Sequence, residues 1–126
     1  MRRSRSPKGG LEFVYERRKG AVVGFAVRGH AGFASAGRDI VCAAISALIL
    51  SAAKGLREHC GARPAISDTS ARYALLLGGG GGTRAQAVLE TMISGLEAIA
   101  RSYPGYLHMQ QGKVAATGPR SGRAKT

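Results

Sequence analysis

The feature that most constrains this chain is a run of 14 residues without a charged side chain, residues 40–53. A helix that is apolar on nearly every side is either buried in a protein or spans a membrane. Because a membrane-spanning helix requires about 20 apolar residues, this run is too short to cross a bilayer. It predicts a buried helix over about residues 40–58, ended by Gly61 and Pro64.

The net charge of +12 is concentrated at the two ends of the chain. Residues 1–10 and residues 111–126 each carry four basic residues and no acid, whereas residues 11–110 carry 11 basic and 7 acidic residues. The ends are also poor in large apolar residues, which predicts two disordered tails. With 126 residues in all, we expect one folded domain over residues 11–110.

The start of the chain is basic and then charged, without the apolar stretch of a secretory signal. This predicts a cytoplasmic protein, in which Cys42 and Cys60 are both free thiols. Neither cysteine has the spacing of a zinc site or of a C-x-x-C redox pair, so we expect no metal and no cofactor.

Hydrophobic periodicity predicts two hairpins. The first pairs strands over residues 11–16 and 21–28, with Val23, Phe25 and Val27 on one face. The second covers residues 65–77 and turns at residues 67–70.

A run of five glycines, residues 78–82, follows the second hairpin and reads as a flexible connector; no Lys-Ser or Lys-Thr pair follows it, as a phosphate-binding loop requires. A second helix then opens at Thr83 and Gln86, which are spaced as a capping box, and ends before Pro104 and Gly105. Residues 106–110 read as a last short strand.

The predicted order of elements is β-β-α-β-β-α-β. Hairpins supply most strand pairs, so we expect an α+β, two-layer domain with a mostly antiparallel sheet and two helices on one face. The first helix is apolar nearly all round, and a two-layer monomer leaves part of it exposed. A homodimer would bury that surplus.

The residues with chemical potential lie between residues 29 and 46. If Asp39 is the N-cap, Cys42 lies in the first turn of the helix, where unpaired backbone N–H groups create a positive end. That effect of about 0.3–1 kcal/mol is less than one pKa unit, so a thiolate also needs a cation, and His30 is the nearest candidate in sequence. Asp39 would cap the helix or orient His30. A cysteine in an apolar helix is more often simply packed in the core.

The segment GHAGFASAGRDIVCAAISAL, residues 29–48, resembles the signature of the bacterial ribosomal-processing cysteine proteases of the Prp type. The segment ISGLEAIARSYPGYLHM resembles the second helix and terminal strand of that family. The resemblance implies a homodimeric α+β cysteine endopeptidase with His30 and Cys42 as the catalytic pair, supported by Asp39, Ser46 and Gly29. It also implies a peptide substrate, the N-terminal extension of the twenty-seventh large-subunit ribosomal protein, cut after an aromatic pair during ribosome assembly.

The basic tails allow a second interpretation. Clustered Lys and Arg contact phosphates without regard to sequence, so the tails would tether the chain weakly to ribosomal RNA. The alternative function is therefore a ribosome-associated or RNA-associated binding protein without enzymatic activity, whose binding would be indifferent to Cys42→Ala.

Overall fold

The computed structural model describes residues 10–29, 36–69 and 71–115. In chain order the elements are β1 (Leu11–Arg18), β2 (Ala21–Arg28), α1 (Ala36–His59), β3 (Ala65–Asp68), β4 (Arg72–Leu76), a short 3₁₀ turn (Gly78–Gly81), α2 (Gly82–Ser102) and β5 (Leu107–Gln111). The predicted order and the predicted α+β class are both confirmed. The predicted tails lie mainly outside the described residues.

The strands form one sheet in the order β3-β4-β2-β1-β5. The pairs β1–β2, β2–β4 and β3–β4 are antiparallel, as two hairpins and their junction require. β5 instead pairs parallel to β1, because α2 carries the chain back to the edge of the sheet before β5 begins. The predicted mostly antiparallel sheet is confirmed.

The core lies between the sheet and the two helices. Phe13 and Phe25 are fully buried on neighbouring strands, with ring centroids 5.4 Å apart. The helices add fully buried aliphatic side chains at helical spacing: Ile45 and Leu56 from α1, and Leu89 and Leu96 from α2. Each helix thus covers the same side of the sheet with one apolar stripe.

Helix α1 is buried on one face only. By length and composition alone, its segment Ile40–His59 would suffice to span a membrane. In the fold, Val41, Ile45 and Ile49 of this segment pack in the core, whereas Ile40 and Leu50 are 67% and 54% exposed. The helix is therefore the core helix that its uncharged run predicts, with a second apolar face left on the surface.

A bulge changes which valine of β2 enters the core. The β1–β2 register shifts between Glu16 and Arg17, so that Glu16 pairs with Gly24 but Arg17 pairs with Val22. A bulge inserts one extra residue and moves the following side chains to the other face. Val22 is accordingly fully buried with Phe25, and the prediction that Val23 shares this face is wrong.

The predicted capping box at the start of α2 is also wrong. Gly81 is the N-cap, in the left-handed conformation and without a side-chain cap. The side-chain amide of Gln86 instead accepts from the N–H of Val22 and donates to the carbonyls of Val22 and Gly80, each at 2.8 Å. The glycine run therefore forms a turn that Gln86 fastens to β2.

The chain continues past β5 onto the face of the sheet that the helices leave open. The N–H of Gly112 donates to the carbonyl of Tyr15 at 2.9 Å, and the N–H of Val114 donates to the carboxylate of Glu16 at 3.0 Å. That bond, and then the guanidinium of Arg18, lower the pKa of Glu16. The predicted domain boundary at residue 110 thus falls inside β5, and the described chain extends to Ala115.

Candidate active site

One end of the sheet and the first half of α1 enclose a cavity of about 330 Å³. Ligand pockets in proteins start at about 300 Å³, so this one suits a side chain or a short peptide segment rather than a large cofactor. Half of its lining side chains are aliphatic or aromatic: Leu11, Val27, Ile45, Ile49, Leu50 and Tyr73. The remaining lining residues are Arg28, Cys42, Ser46, Asp68, Thr69 and Arg72.

Antiparallel pairing brings these strand residues together. Arg28 at the end of β2 pairs with Glu12 near the start of β1 and with Arg72 at the start of β4. Asp68 at the end of β3 pairs with Tyr73. Four strands thus present one terminus each at the same end of the sheet, beneath α1.

Cys42 is partly buried in the wall of this cavity. Its neighbours on the same helical face are Ile45, Ser46 and Ile49, which also line the cavity. Ile45 and Ile49 fix the helix in the core, while Ser46 is exposed. The thiol group of Cys42 is therefore held at a fixed position on a rigid helix.

The predicted position of Cys42 in the first helical turn is wrong. α1 begins at Ala36, not at residue 40, so Asp39 lies within the helix and is not its N-cap. An acidic residue in the first turn stabilises the positive helix end as a cap does, and the sequence pattern does not separate the two. Cys42 is the seventh helical residue, beyond the four N–H groups that lack helical partners.

Gly29 is the first residue after β2, and its backbone conformation requires glycine. Its φ of +90° lies in the left-handed region, and a Cβ there would come within 3.0 Å of the carbonyl oxygen of Gly10. Only glycine satisfies both conditions without strain. The predicted base His30 and the side chain of Asp39 lie outside the described residues.

The two cations that line the cavity, Arg28 and Arg72, each have a partner. The guanidinium of Arg28 binds the carboxylate of Glu12 at 3.1 Å, and that of Arg72 donates to the carbonyl of Ala115 at 2.8 Å. Burial raises the pKa of Tyr73, which keeps its phenol neutral and protonated at physiological pH. The wall also adds to the cavity the carboxylate of Asp68, which has no salt bridge among the described residues.

The second cysteine is not part of this site. Cys60, at the end of α1, is also free and partly buried, but it packs against the core and does not line the cavity. Among residues 10–29, 36–69 and 71–115, no three His, Cys, Asp or Glu side chains come together as a metal ion would require.

Of the residues that the sequence predicts for the site, Cys42 and Ser46 line the cavity and Gly29 does not, whereas the strand residues of the cavity were not predicted. Val27 and Tyr73 carried a signal, because alternation places each on the helix-facing side of its strand. Asp68 and Thr69 carried none, because their place at the site follows from the β3–β4 register.

The cavity thus places one possible nucleophile, the thiol of Cys42, against a space that can receive a ligand. Residues 11–108 match the family described as cysteine protease Prp. The protein therefore belongs to this family of ribosomal processing cysteine proteases.

Solved structures agree on the fold. The ribosomal processing protease Prp from Staphylococcus aureus, crystallised with a substrate peptide, is 22% identical with a TM-score of 0.75, over 81% of this chain and 99% of that one. The same enzyme with a covalently linked product peptide is 23% identical with a TM-score of 0.74, over 81% and 99%. A Streptococcus mutans protein is 21% identical with a TM-score of 0.74, over 81% and 96%. Among the curated proteins, none matches this chain.

Proposed function

We propose that this protein is a cysteine endopeptidase that removes the N-terminal extension of the twenty-seventh large-subunit ribosomal protein during ribosome assembly. The observation that carries the proposal is Cys42 in the wall of the apolar cavity, in a chain of the Prp family. The S. aureus Prp structures with a substrate peptide and with a covalently linked product peptide support peptide cleavage through a covalent intermediate.

His30 is the proposed base. It follows Arg28, a cavity residue, by two positions, so chain connectivity keeps the two Cα atoms within about 7.6 Å. The helix terminus contributes little to ionising Cys42, because its field falls off within the first turn and Cys42 lies beyond it. Stabilisation of the thiolate therefore depends on the imidazolium, with Asp39 as the carboxylate that orients it.

In the proposed reaction the Cys42 thiolate attacks the scissile carbonyl carbon and forms a C–S bond. The imidazolium of His30 gives its proton to the leaving amine as the C–N bond breaks, which leaves a thioester. Water, deprotonated by His30, then attacks the thioester carbon; the C–S bond breaks, the carboxylic acid product leaves, and the thiolate and the imidazolium are restored. Ser46, exposed one turn after Cys42 at the same cavity, is placed to contact the peptide.

The cavity fits the aromatic side chains that precede the proposed cut. Leu11, Val27 and Ile49 supply apolar wall, and the neighbouring cations are already paired. An aromatic side chain gains free energy by leaving water for such a site, whereas an acidic one loses its hydration where the cations Arg28 and Arg72 already have partners.

We propose further that the enzyme is a cytoplasmic homodimer. The outer face of the first half of α1 is apolar and exposed at Ile40, Ala43, Ala47 and Leu50. A second copy would remove this face from water. Sedimentation equilibrium tests the proposal: Ala47→Glu, which places a charge on the face, is expected to shift the protein from dimer to monomer, and a monomeric wild type would refute it.

Mass spectrometry of a peptide carrying the ribosomal N-terminal extension tests the proposed reaction. The wild type is expected to cut once after the aromatic pair, whereas Cys42→Ala and His30→Ala leave the peptide intact. Iodoacetamide labelling provides a parallel readout, in which Cys42 reacts faster than Cys60 at neutral pH and loses that advantage in His30→Ala. If the wild type leaves the peptide uncut and the two thiols react alike, Cys42 is a packing residue and the proposal is wrong.

A further inference from the structure

Strand β3 ends at the cavity and is an edge of the sheet. Within the described residues the strand order begins with β3, whose partner is β4 alone. Its last residue, Asp68, lines the cavity together with Thr69. The other edge strand, β5, contributes no residue to the cavity wall.

The backbone groups on the open side of β3 can be assigned from the register. Thr69 donates its N–H to the carbonyl of Arg72 at 2.9 Å, which makes Thr69 and Arg72 a hydrogen-bonded pair. Bonded and non-bonded pairs alternate along an antiparallel ladder, so Ser67–Ala74 is the next bonded pair. The N–H and C=O groups of Ile66 and Asp68 therefore point away from β4, toward solvent.

An extended peptide satisfies such an edge by adding a strand, with main-chain bonds that hold it and alternate side chains that enter pockets. We propose that β3 binds the substrate in this way: the peptide forms main-chain hydrogen bonds with Ile66 and Asp68, and every second side chain turns toward the Cys42 cavity. This inference rests on the proposed function, and it deepens it by naming the surface that positions the peptide.

The side chains of β3 that lie on the helix-facing side of the sheet support this orientation of the peptide. Ile66 and Asp68 pair with Leu75 and Tyr73, which face the helices. Residues of an added strand that stand beside them share that face. Side chains two residues apart would thus lie beneath α1, next to Leu50, while those between them lie on the outer face.

Proline and alanine substitutions of Asp68 distinguish the contribution of its backbone N–H to peptide binding from that of its side chain. Asp68→Pro removes the outward N–H without touching the β3–β4 ladder, and proline is tolerated at such edge positions. Asp68→Ala is the matched variant, which loses the carboxylate but keeps the N–H. Both are made in a Cys42→Ala background, and binding of a fluorescein-labelled extension peptide is measured by fluorescence anisotropy, with circular dichroism as the test of folding.

The expected result is that Asp68→Pro binds the peptide about three- to tenfold more weakly than Asp68→Ala, the effect of one lost main-chain bond. Equal affinity of the two variants would overturn the inference. A change in the oligomeric state without a change in peptide affinity would also overturn the inference, because the edge of β3 would then bind a second copy of the chain.

N-methylation of the peptide gives a second readout that needs no change in the protein. Methyl groups on successive peptide nitrogens are expected to weaken binding at every second position only, because alternate N–H groups face β3. Weakening without alternation would overturn the inference. If the wild type cleaves the peptide but Asp68→Pro and Asp68→Ala bind it alike, the proposed function stands and the inference about β3 is wrong. If N-methylation weakens binding at alternate positions but the wild type does not cleave the peptide, the peptide binds to the edge of β3 and the proposed peptidase activity is wrong.

Discussion

The side chain of Gln86 pairs with the backbone of Val22 as a residue of a neighbouring strand would. Its amide oxygen accepts from the N–H of Val22 and its amide nitrogen donates to the carbonyl of Val22, both at 2.8 Å. This places a ladder-like pair between α2 and β2, at the β2 end opposite the cavity. The helix is thereby fixed in position relative to the sheet by hydrogen bonds as well as by apolar packing.

Gln86→Ala is expected to lower the free energy of unfolding by about 1–3 kcal/mol, because it leaves partly buried backbone groups of Val22 and Gly80 without partners. Urea unfolding measures the change. Thr83→Ala is the control: Thr83 is exposed and does not cap α2, so we expect a change within about 0.5 kcal/mol. Equal losses in the two variants would restore the capping box and contradict the structure.

The glycine turn makes a prediction that distinguishes positions within one run. Gly81 has a φ of +73°, and a Cβ there would meet Ala85 and Leu77 side-chain carbons at 2.8 Å. Gly81→Ala is therefore expected to cost more than about 1 kcal/mol in thermal unfolding. Gly78 has an ordinary φ and open space around it, so Gly78→Ala should be neutral or stabilise by up to about 1 kcal/mol. If the glycine run were a connector without defined structure, the two substitutions would have the same effect on thermal unfolding.

The pair Arg17–Glu90 makes stability depend on pH. The guanidinium of Arg17 donates to both carboxylate oxygens of Glu90 and lowers the pKa of that carboxyl. A lowered pKa in the folded state contributes stability above the unfolded value of about 4.3, and this stability is lost as the pH falls through the folded value. Because the Glu90 side chain is 43% exposed, solvent limits the contribution to about 0.5–1 kcal/mol.

Glu90→Gln tests this pair. The variant is expected to be less stable than the wild type at pH 7 and equal to it near pH 3, measured by urea unfolding at both values. A difference that persists at the lower pH would mean that the contribution comes from packing of the side chain and not from its charge.

Substitutions of two exposed residues of α1 distinguish an effect of the cavity on substrate binding from an effect of the helix surface beside it. Leu50 lines the cavity and Ile40 does not, although both are largely exposed. Under the proposed function, Leu50→Ala is expected to raise KM for the aromatic peptide about three- to tenfold through lost apolar contact. An equal rise in KM for Ile40→Ala would assign the effect to the outer helix face and not to the cavity.

The sequence predicted the elements because their signals are local. The hairpins, the uncharged helix and the periodicity of α2 each depend on neighbours within a few residues, and all five strands and both helices were found within the described residues. The failures were of another kind. The role of Gln86, for example, depends on a contact with Val22, which is 64 residues away in the chain, and no short window contains both.

The residues of the candidate site also fall into two groups, those that a local motif predicts and those that only the folded sheet brings to the cavity. A local motif brought attention to Cys42, Ser46 and Gly29, and the structure gives the cysteine and the serine a shared cavity and the glycine a left-handed conformation. The rest of the cavity comes from four strand ends, and only the register of the sheet shows that Asp68 lies near Cys42's helix. Spacing in a sequence does not reveal such neighbours.

Within the part of the chain that the structure describes, the pairing of β1 with β5 joins the first strand in chain order with the last. During translation β1 can form its hairpin with β2, but its other edge has no partner until the chain has passed residue 107. Contacts between such distant segments slow folding, and an open edge beside an apolar face favours aggregation. The nascent domain is therefore most vulnerable in the interval before its C-terminal strand emerges, and a truncation that removes β5 would make that condition permanent.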